Sequence, residues 1–193
     1  MDYLKDLSKV NKNSLLIVET LRGGKKYFNE IAEKSGIKSR NNLLKNLNNL
    51  FQINAIKKEQ NKSNTFYSLN YDNYLTIGLL QLISSIRFES LPFQRKKPIT
   101  EIISQIKPLI AVLFGSSAKG NFTNSSDIDL LIISDYKNNN RVKEISSRYG
   151  VKVNAIFLQL EEFHSKNETI SHILKTGYPL TGEIYFYEEL KKI

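Results

Sequence analysis

Two apolar runs at 109–114 (LIAVLF) and 130–133 (LLII), split by a short and mostly polar segment, restrict this chain more than any other feature. Apolar runs of strand length without alternation read as strands covered on both faces. The intervening GSSAKG and SDID therefore fall where one buried strand ends and the next begins. Asp127 and Asp129 are i and i+2 at the start of a strand, so both carboxylates share one face, about 6.5–7 Å apart along it. Such a pair suits a hard cation such as magnesium, which takes oxygen ligands and retains water and substrate phosphates. Gly115 lets the backbone approach a phosphate closely, and Ser116 with the amides after it can donate to that phosphate. Gly120 permits a turn that a side chain would obstruct. A phosphate cradle facing a carboxylate pair is equipment for phosphoryl or nucleotidyl transfer.

Downstream, the pattern predicts a helix over about 139–149, a third strand over 151–158 and a short acidic helix at Glu161, Glu162 and Phe163. Strands with covering helices make an α/β or α+β layout. Tyr185, Phe186 and Tyr187 read as a further strand packed on the sheet. Glu168 and His172 are four apart on a helix and can pair on its surface. His164 stands too far from other ligand types to mark a metal site.

GSSAKGNFTNSSDIDLLII resembles the signature of the DNA polymerase beta nucleotidyltransferase superfamily, most closely its minimal nucleotidyltransferases. The match runs through Gly115, Ser116, Ala118, Gly120, Ser126, Asp127 and Asp129, with Lys119 where arginine is common, and the similarity covers about 100–190. The resemblance implies a nucleotidyltransferase fold that holds a nucleoside triphosphate through Mg2+ (or Mn2+) on Asp127 and Asp129. Gly115, Ser116, Lys119, Gly120 and Ser126 would then line the nucleotide. Gly177, Tyr178 and Leu180 look like the family's closing segment. Members that are active usually carry a third carboxylate on the next strand; here Asn154 stands at that place. An amide oxygen can ligate a cation but cannot act as a general base at neutral pH. Either two carboxylates suffice, with a base from elsewhere such as Glu161 or Glu162, or the chain binds nucleotide without turnover.

The N-terminal half is organised differently. Residues 14–22, 27–36 and 40–52 read as three short helices, the last capped by Ser39 and carrying Leu43, Leu44, Leu47 and Leu50 as its apolar stripe. INAIKKEQ and NTFYSLN then read as two strands joined near 61–64. Three helices and a hairpin make a winged helix-turn-helix plan, and this segment resembles the winged-helix domains of small prokaryotic regulators in pattern and order. Opposite the leucines lie Arg40, Asn41, Lys45 and Asn48, side chains able to meet base edges and phosphates, while Lys57, Lys58 and Lys62 would decorate the wing. The formal net charge is +9, and residues 1–99 hold all of that excess. This is the asymmetry of a polyanion-binding arm, or of a lysine-rich solvated surface. Winged helices also serve as dimerisation or protein-docking modules.

Residues 71–107 read as a helical connector: one helix over about 72–88, apolar nearly all round and expected to be buried between domains or in a homodimer, then a second starting near Pro98. The longest apolar stretch is far too short for a membrane span. The chain has no cysteine, so thiolate metal sites and disulfides are excluded. With no signal-like N-terminus, a cytoplasmic α+β protein is expected. It would comprise a winged helix-turn-helix over 1–70, a connector over 71–107 and a mixed-sheet minimal nucleotidyltransferase domain over 108–193, with helices packed on its sheet. Its expected activity moves an NMP from an NTP to a hydroxyl on a protein, RNA or small molecule. The rival readings are a nucleotide-responsive DNA-binding regulator and, by the resemblance, the antitoxin of a pair with a small helical toxin.

Overall fold

A computed structural model describes residues 7–61, 64–123, 125–165 and 167–193. The chain divides into two compact units, 1–83 and 84–193.

In the N-terminal unit, α1 (Lys12–Arg22) is capped by the Asn11 side chain, and Gly23 ends it. A two-residue strand β1 (Lys26–Tyr27) leads into α2 (Phe28–Ser35), which closes on Gly36 in the left-handed conformation. Helix α3 (Arg40–Gln52) starts where Ser39 Oγ accepts from the Asn42 amide at 3.3 Å. The strands β2 (Ile56–Gln60) and β3 (Thr65–Leu69) complete an antiparallel sheet of order β1-β3-β2. Ile17, Val18, Leu21, Ile31, Leu43, Leu47 and Leu50 form its core, each no more than 1% exposed. One residue of the expected leucine stripe is corrected: Leu44 is exposed, and Asn46 is buried instead. At 100° per residue Leu44 sits well off the Leu43–Leu47–Leu50 line. Asn46 lies nearer that line and satisfies itself through the Ser14 hydroxyl (3.1 Å) and the Asn42 carbonyl (2.8 Å).

Helix α4 (Tyr74–Glu89) crosses the division between units. Thr76, Leu79, Leu80 and Ile83 are buried, while Tyr74, Leu82 and Ile86 are exposed. Within the single chain α4 is therefore buried along one side and exposed along the other.

The C-terminal unit holds a mixed sheet of order β6-β5-β4-β7: β4 (Ile110–Phe114), β5 (Ile128–Ile133), β6 (Val153–Leu158) and β7 (Tyr178–Thr181). Strand β4 is antiparallel to β5 and β7, and β5 is parallel to β6. The parallel pair needs a crossover, supplied by α7 (Asn139–Tyr149). The two apolar runs become the central strands, with Ile110–Leu113 and Leu130–Ile133 at most 1% exposed. Around them lie α5 (Phe93–Ile106), α6 (Gly115–Lys119), α8 (Leu160–His164), α9 (Glu168–Thr176) and α10 (Glu183–Lys191).

Two sequence readings are corrected here. Helix α5 begins at Phe93, not near Pro98, and carries Pro98 inside it. Placed early in the helix, that proline removes one backbone bond without ending the helix, and it is buried. Tyr185, Phe186 and Tyr187 lie on α10 instead of a strand. Aromatic residues favour strands locally, but Phe186, Tyr187 and Leu190 share the buried face of a helix that follows a left-handed Gly182.

Candidate active site

Register decides the site. Phe114, the last residue of β4, lies opposite Asp129, and Asp129 lies opposite Asn154 on β6. The end of one strand, the start of the next and the start of the third therefore meet at one edge of the sheet. Gly115 turns the chain from β4 into α6 with φ of 68°, and a Cβ there would stand 2.1 Å from Asp129 Oδ2. The sequence reading gave Gly115 to a phosphate; the structure adds that the Asp129 carboxylate already fills the space a side chain would need. Gly120, with φ of 74°, ends α6 and returns its amide to the Ser116 carbonyl.

Asn154 Nδ2 donates to both carboxylates, at 3.0 Å to Asp127 Oδ2 and 3.1 Å to Asp129 Oδ1. The Asn154 amide thus joins the two carboxylates. Lys152 Nζ reaches the same Asp127 oxygen at 2.6 Å. The lysine hydrogen bond, then that from Asn154, then the charge of Lys152, hold the Asp127 carboxyl below the usual carboxylate range. Ser126 and Lys119, both read as nucleotide contacts, differ in setting. Ser126 Oγ accepts from the Thr123 amide at 2.8 Å and so closes its own loop, whereas Lys119 is exposed.

The residue that sequence reasoning missed altogether is Arg95, on the first turn of α5. It is 4% exposed, yet its guanidinium donates to Ser117 Oγ (2.9 Å) and to the carbonyls of Thr123 (2.8 Å), Ser126 (2.6 Å) and Asp127 (3.4 Å). It also lies 4.4 Å from the Phe122 ring centroid. One side chain thereby ties α6 to the loop that delivers Asp127. Placing the helix start at Pro98 hid it. Lys152 was legible in principle, since period-two alternation sets it on the face of Asn154.

Other expectations are relocated. Glu162 accepts from the Gln159 amide at 2.8 Å, so it caps α8. Glu161 and Glu162 follow the end of β6 at Leu158, four residues beyond Asn154 along the strand, or about 13 Å at 3.3 Å per residue. Neither is placed to serve as base at Asp129. His164 faces Glu189 at 3.0 Å. Among the described residues no group of three or more His, Cys, Asp or Glu gathers as a metal site. The donor set at Asp127 and Asp129 nonetheless fits a hard divalent ion. It offers two carboxylates and an amide whose oxygen replaces its nitrogen on a half-turn.

In the N-terminal unit, Arg40, Asn41, Lys45 and Asn48 are all exposed on α3, with Arg40 5.0 Å from the Phe28 ring centroid. Leu44 and Phe51 are exposed beside them, so that face is not purely polar. Lys57 pairs with Asp72 at 3.1 Å, and Lys58, the next residue of β2, points to the opposite face. Lys62 lies outside the described residues. The structural division also redistributes charge: residues 1–83 hold 13 Lys+Arg against 7 Asp+Glu, and residues 84–193 hold 15 against 12. Part of the excess therefore belongs to the unit that carries the aspartates, where Arg87 lies 5.7 Å from the Tyr178 ring centroid. No helix among the described residues is long and apolar enough to cross a membrane.

Comparison with known proteins falls on the same unit. The family described as polymerase beta, nucleotidyltransferase matches residues 97–183. A protein of Methanocaldococcus jannaschii, named "Putative protein adenylyltransferase MJ0604", is 34% identical over 80 residues, covering 37% of this chain and 80% of that protein. No solved structure matches significantly.

Proposed function

Because the chain belongs to the polymerase beta nucleotidyltransferase family, we propose that its C-terminal unit transfers a nucleoside monophosphate from a triphosphate to a hydroxyl, with a protein as the favoured acceptor. The observation that carries this is the junction of Gly115, Asp127, Asp129 and Asn154 at one sheet edge. Asp127 and Asp129 would hold one Mg2+ or Mn2+, with Asn154 as a neutral third ligand. Such an ion supplies charge neutralisation on the triphosphate and polarises the phosphorus under attack. Gly115 lets the turn into α6 approach the triphosphate, and the Ser116 amide and hydroxyl donate to its oxygens. Lys119 and Gly120 border that turn, and Ser126 shapes the loop that presents Asp127. Asn154 cannot take the acceptor's proton. Positioning and electrostatics then carry the rate, as they do in phosphoryl transfer generally. The name of the M. jannaschii relative favours ATP as donor and a protein as acceptor.

The test is incorporation of α-labelled ATP, CTP, GTP and UTP, with magnesium or manganese, into protein and RNA extracts. Label transferred by the native chain and not by an Asp127→Ala/Asp129→Ala double variant is the expected result. Transfer that needs neither metal nor the aspartates would overturn the mechanism. Asn154→Asp should raise transfer by restoring the third carboxylate.

A second reading rests on a separate observation. The N-terminal unit runs helix, strand, helix, helix, strand, strand, with Arg40, Asn41, Lys45 and Asn48 outward on α3. We read it as a winged helix, over about 1–70, able to contact nucleic acid. If Asn154 abolishes turnover, the chain becomes a nucleotide-responsive DNA-binding regulator, and a salt-dependent DNA complex without label transfer would identify it.

A further inference from the structure

Lys152 lies one residue before β6, yet its carbonyl accepts from the Ile128 amide at 2.9 Å, so the ladder continues through it. Lys152 and Asn154 therefore project from the same face. Between them they donate three hydrogen bonds to the two carboxylates, two of these to the single oxygen Asp127 Oδ2. A third carboxylate would add negative charge and attract a free divalent ion. This site instead meets an incoming ion with an ammonium and an amide already on its ligand atoms. A free ion must displace the ammonium from Asp127 and brings no second anion for it. A metal–triphosphate complex brings that anion with it. The Lys152 side chain is 71% exposed on a flexible four-carbon stem, so nothing packed around it prevents the move.

We propose that this is a nucleotide-gated metal site: Lys152 neutralises Asp127 while no nucleotide is bound and turns to the triphosphate when one arrives, so that the divalent cation enters together with the nucleotide. This rests on the nucleotidyltransferase reading above, and it makes Lys152 a specificity-determining residue for the metal–nucleotide complex over the free ion.

The experiment is Mn2+ titration of the full chain, followed by the electron paramagnetic resonance signal of free Mn2+. It is run alone and with the non-transferable α,β-methylene analogues of ATP, CTP, GTP and UTP in turn. Wild type should take up Mn2+ weakly alone and at least about tenfold more tightly with an accepted analogue. Lys152→Met should shift two affinities in opposite directions. Mn2+ without nucleotide should bind about three- to fivefold more tightly, the factor such an exposed ion pair is worth. The analogue should bind more weakly by a similar factor. Lys152→Arg should keep the wild-type pattern. A merely structural lysine would weaken both bindings or neither, and either result overturns the proposal. So does wild-type uptake of Mn2+ that is as tight without analogue as with it. Analogue binding to wild type with no shift in Lys152→Met overturns the gating alone. Failure of every analogue to bind wild type overturns the nucleotidyltransferase reading along with it.

Discussion

The outward face of α3 and the junction around Asp127 are made of similar side chains held in opposite ways. Arg40, Asn41, Lys45 and Asn48 stand in solvent, where a polar side chain costs little and its position conveys little. Arg95 and Ser117 are almost fully buried, and Arg95 spends its guanidinium on one hydroxyl and three carbonyls. Burying a guanidinium is costly unless every donor is matched, so its presence marks a conformation that the fold must hold. The lesson is that polar residues which constrain one another locate a site better than polar residues which merely share a face.

The contrast breaks most sharply at Arg95. Arg95→Met would strand several carbonyls in a partly buried loop and should destabilise the C-terminal unit by about 3 kcal/mol, measured by urea denaturation. Arg95→Lys should recover only part of this, because one ammonium cannot fork across Thr123 and Ser126. Wild-type stability in Arg95→Met would show the network to be incidental. Gly115→Ala comes next. A Cβ in a left-handed backbone costs about 1–2 kcal/mol, and here it also displaces the Asp129 carboxylate. Label transfer should fall at least about a hundredfold, while the melting temperature shifts only a few degrees.

The N-terminal unit offers the matching controls. Asn46→Ala, which takes from the Ser14 hydroxyl its buried 3.1 Å partner, should cost about 1–2 kcal/mol in chemical denaturation. Arg40→Ala with Lys45→Ala should stay within about 0.5 kcal/mol of wild type. If α3 meets nucleic acid, the same double variant should weaken binding and lower the slope of log affinity against log salt by about 1–2. An unchanged slope would leave the face a solvated surface or a protein-docking one, a role in which exposed Leu44 and Phe51 would take part.

The smallest effect concerns pH. Glu101 accepts from the Tyr149 hydroxyl at 2.9 Å and from Arg148 at 2.6 Å, joining α5 to α7. The Tyr149 hydrogen bond first, and then Arg148, hold its carboxyl below the usual glutamate range. A carboxylate depressed in the folded state stabilises above its unfolded pKa, and that contribution is lost as pH falls through the folded value. Glu101→Gln should therefore flatten the acid-side fall in urea midpoint between about pH 5 and about pH 3. An undiminished fall would assign it to other carboxylates, Asp127 and Glu144 among them, which are depressed in the same direction.

Much of this was legible from local pattern. The buried strands β4 and β5, the cap at Ser39 and helix α7 all follow from runs, spacing and turn chemistry within a few residues. What misled the local reading were positions where tertiary packing overrides propensity. The aromatic triplet at 185–187 has strand character but lies on α10, and Leu44 belongs to a leucine-rich segment yet faces solvent. Pro98 looked like a helix start, and accepting it as one concealed Arg95.

By itself the sequence determined which atoms are available: two carboxylates at strand spacing, an amide on the strand that follows, and glycines at the turn between the first two strands. Only the tertiary structure decided what those atoms meet. Pairing β5 with β6 in one register sets Asn154 against both aspartates and Lys152 against one of them. Folding α5 over the sheet brings a guanidinium from 32 residues upstream to the Asp127 carbonyl. Spacing along a strand is fixed by covalent geometry and can be read from one segment. Contacts between segments depend on register and packing, which no single segment contains.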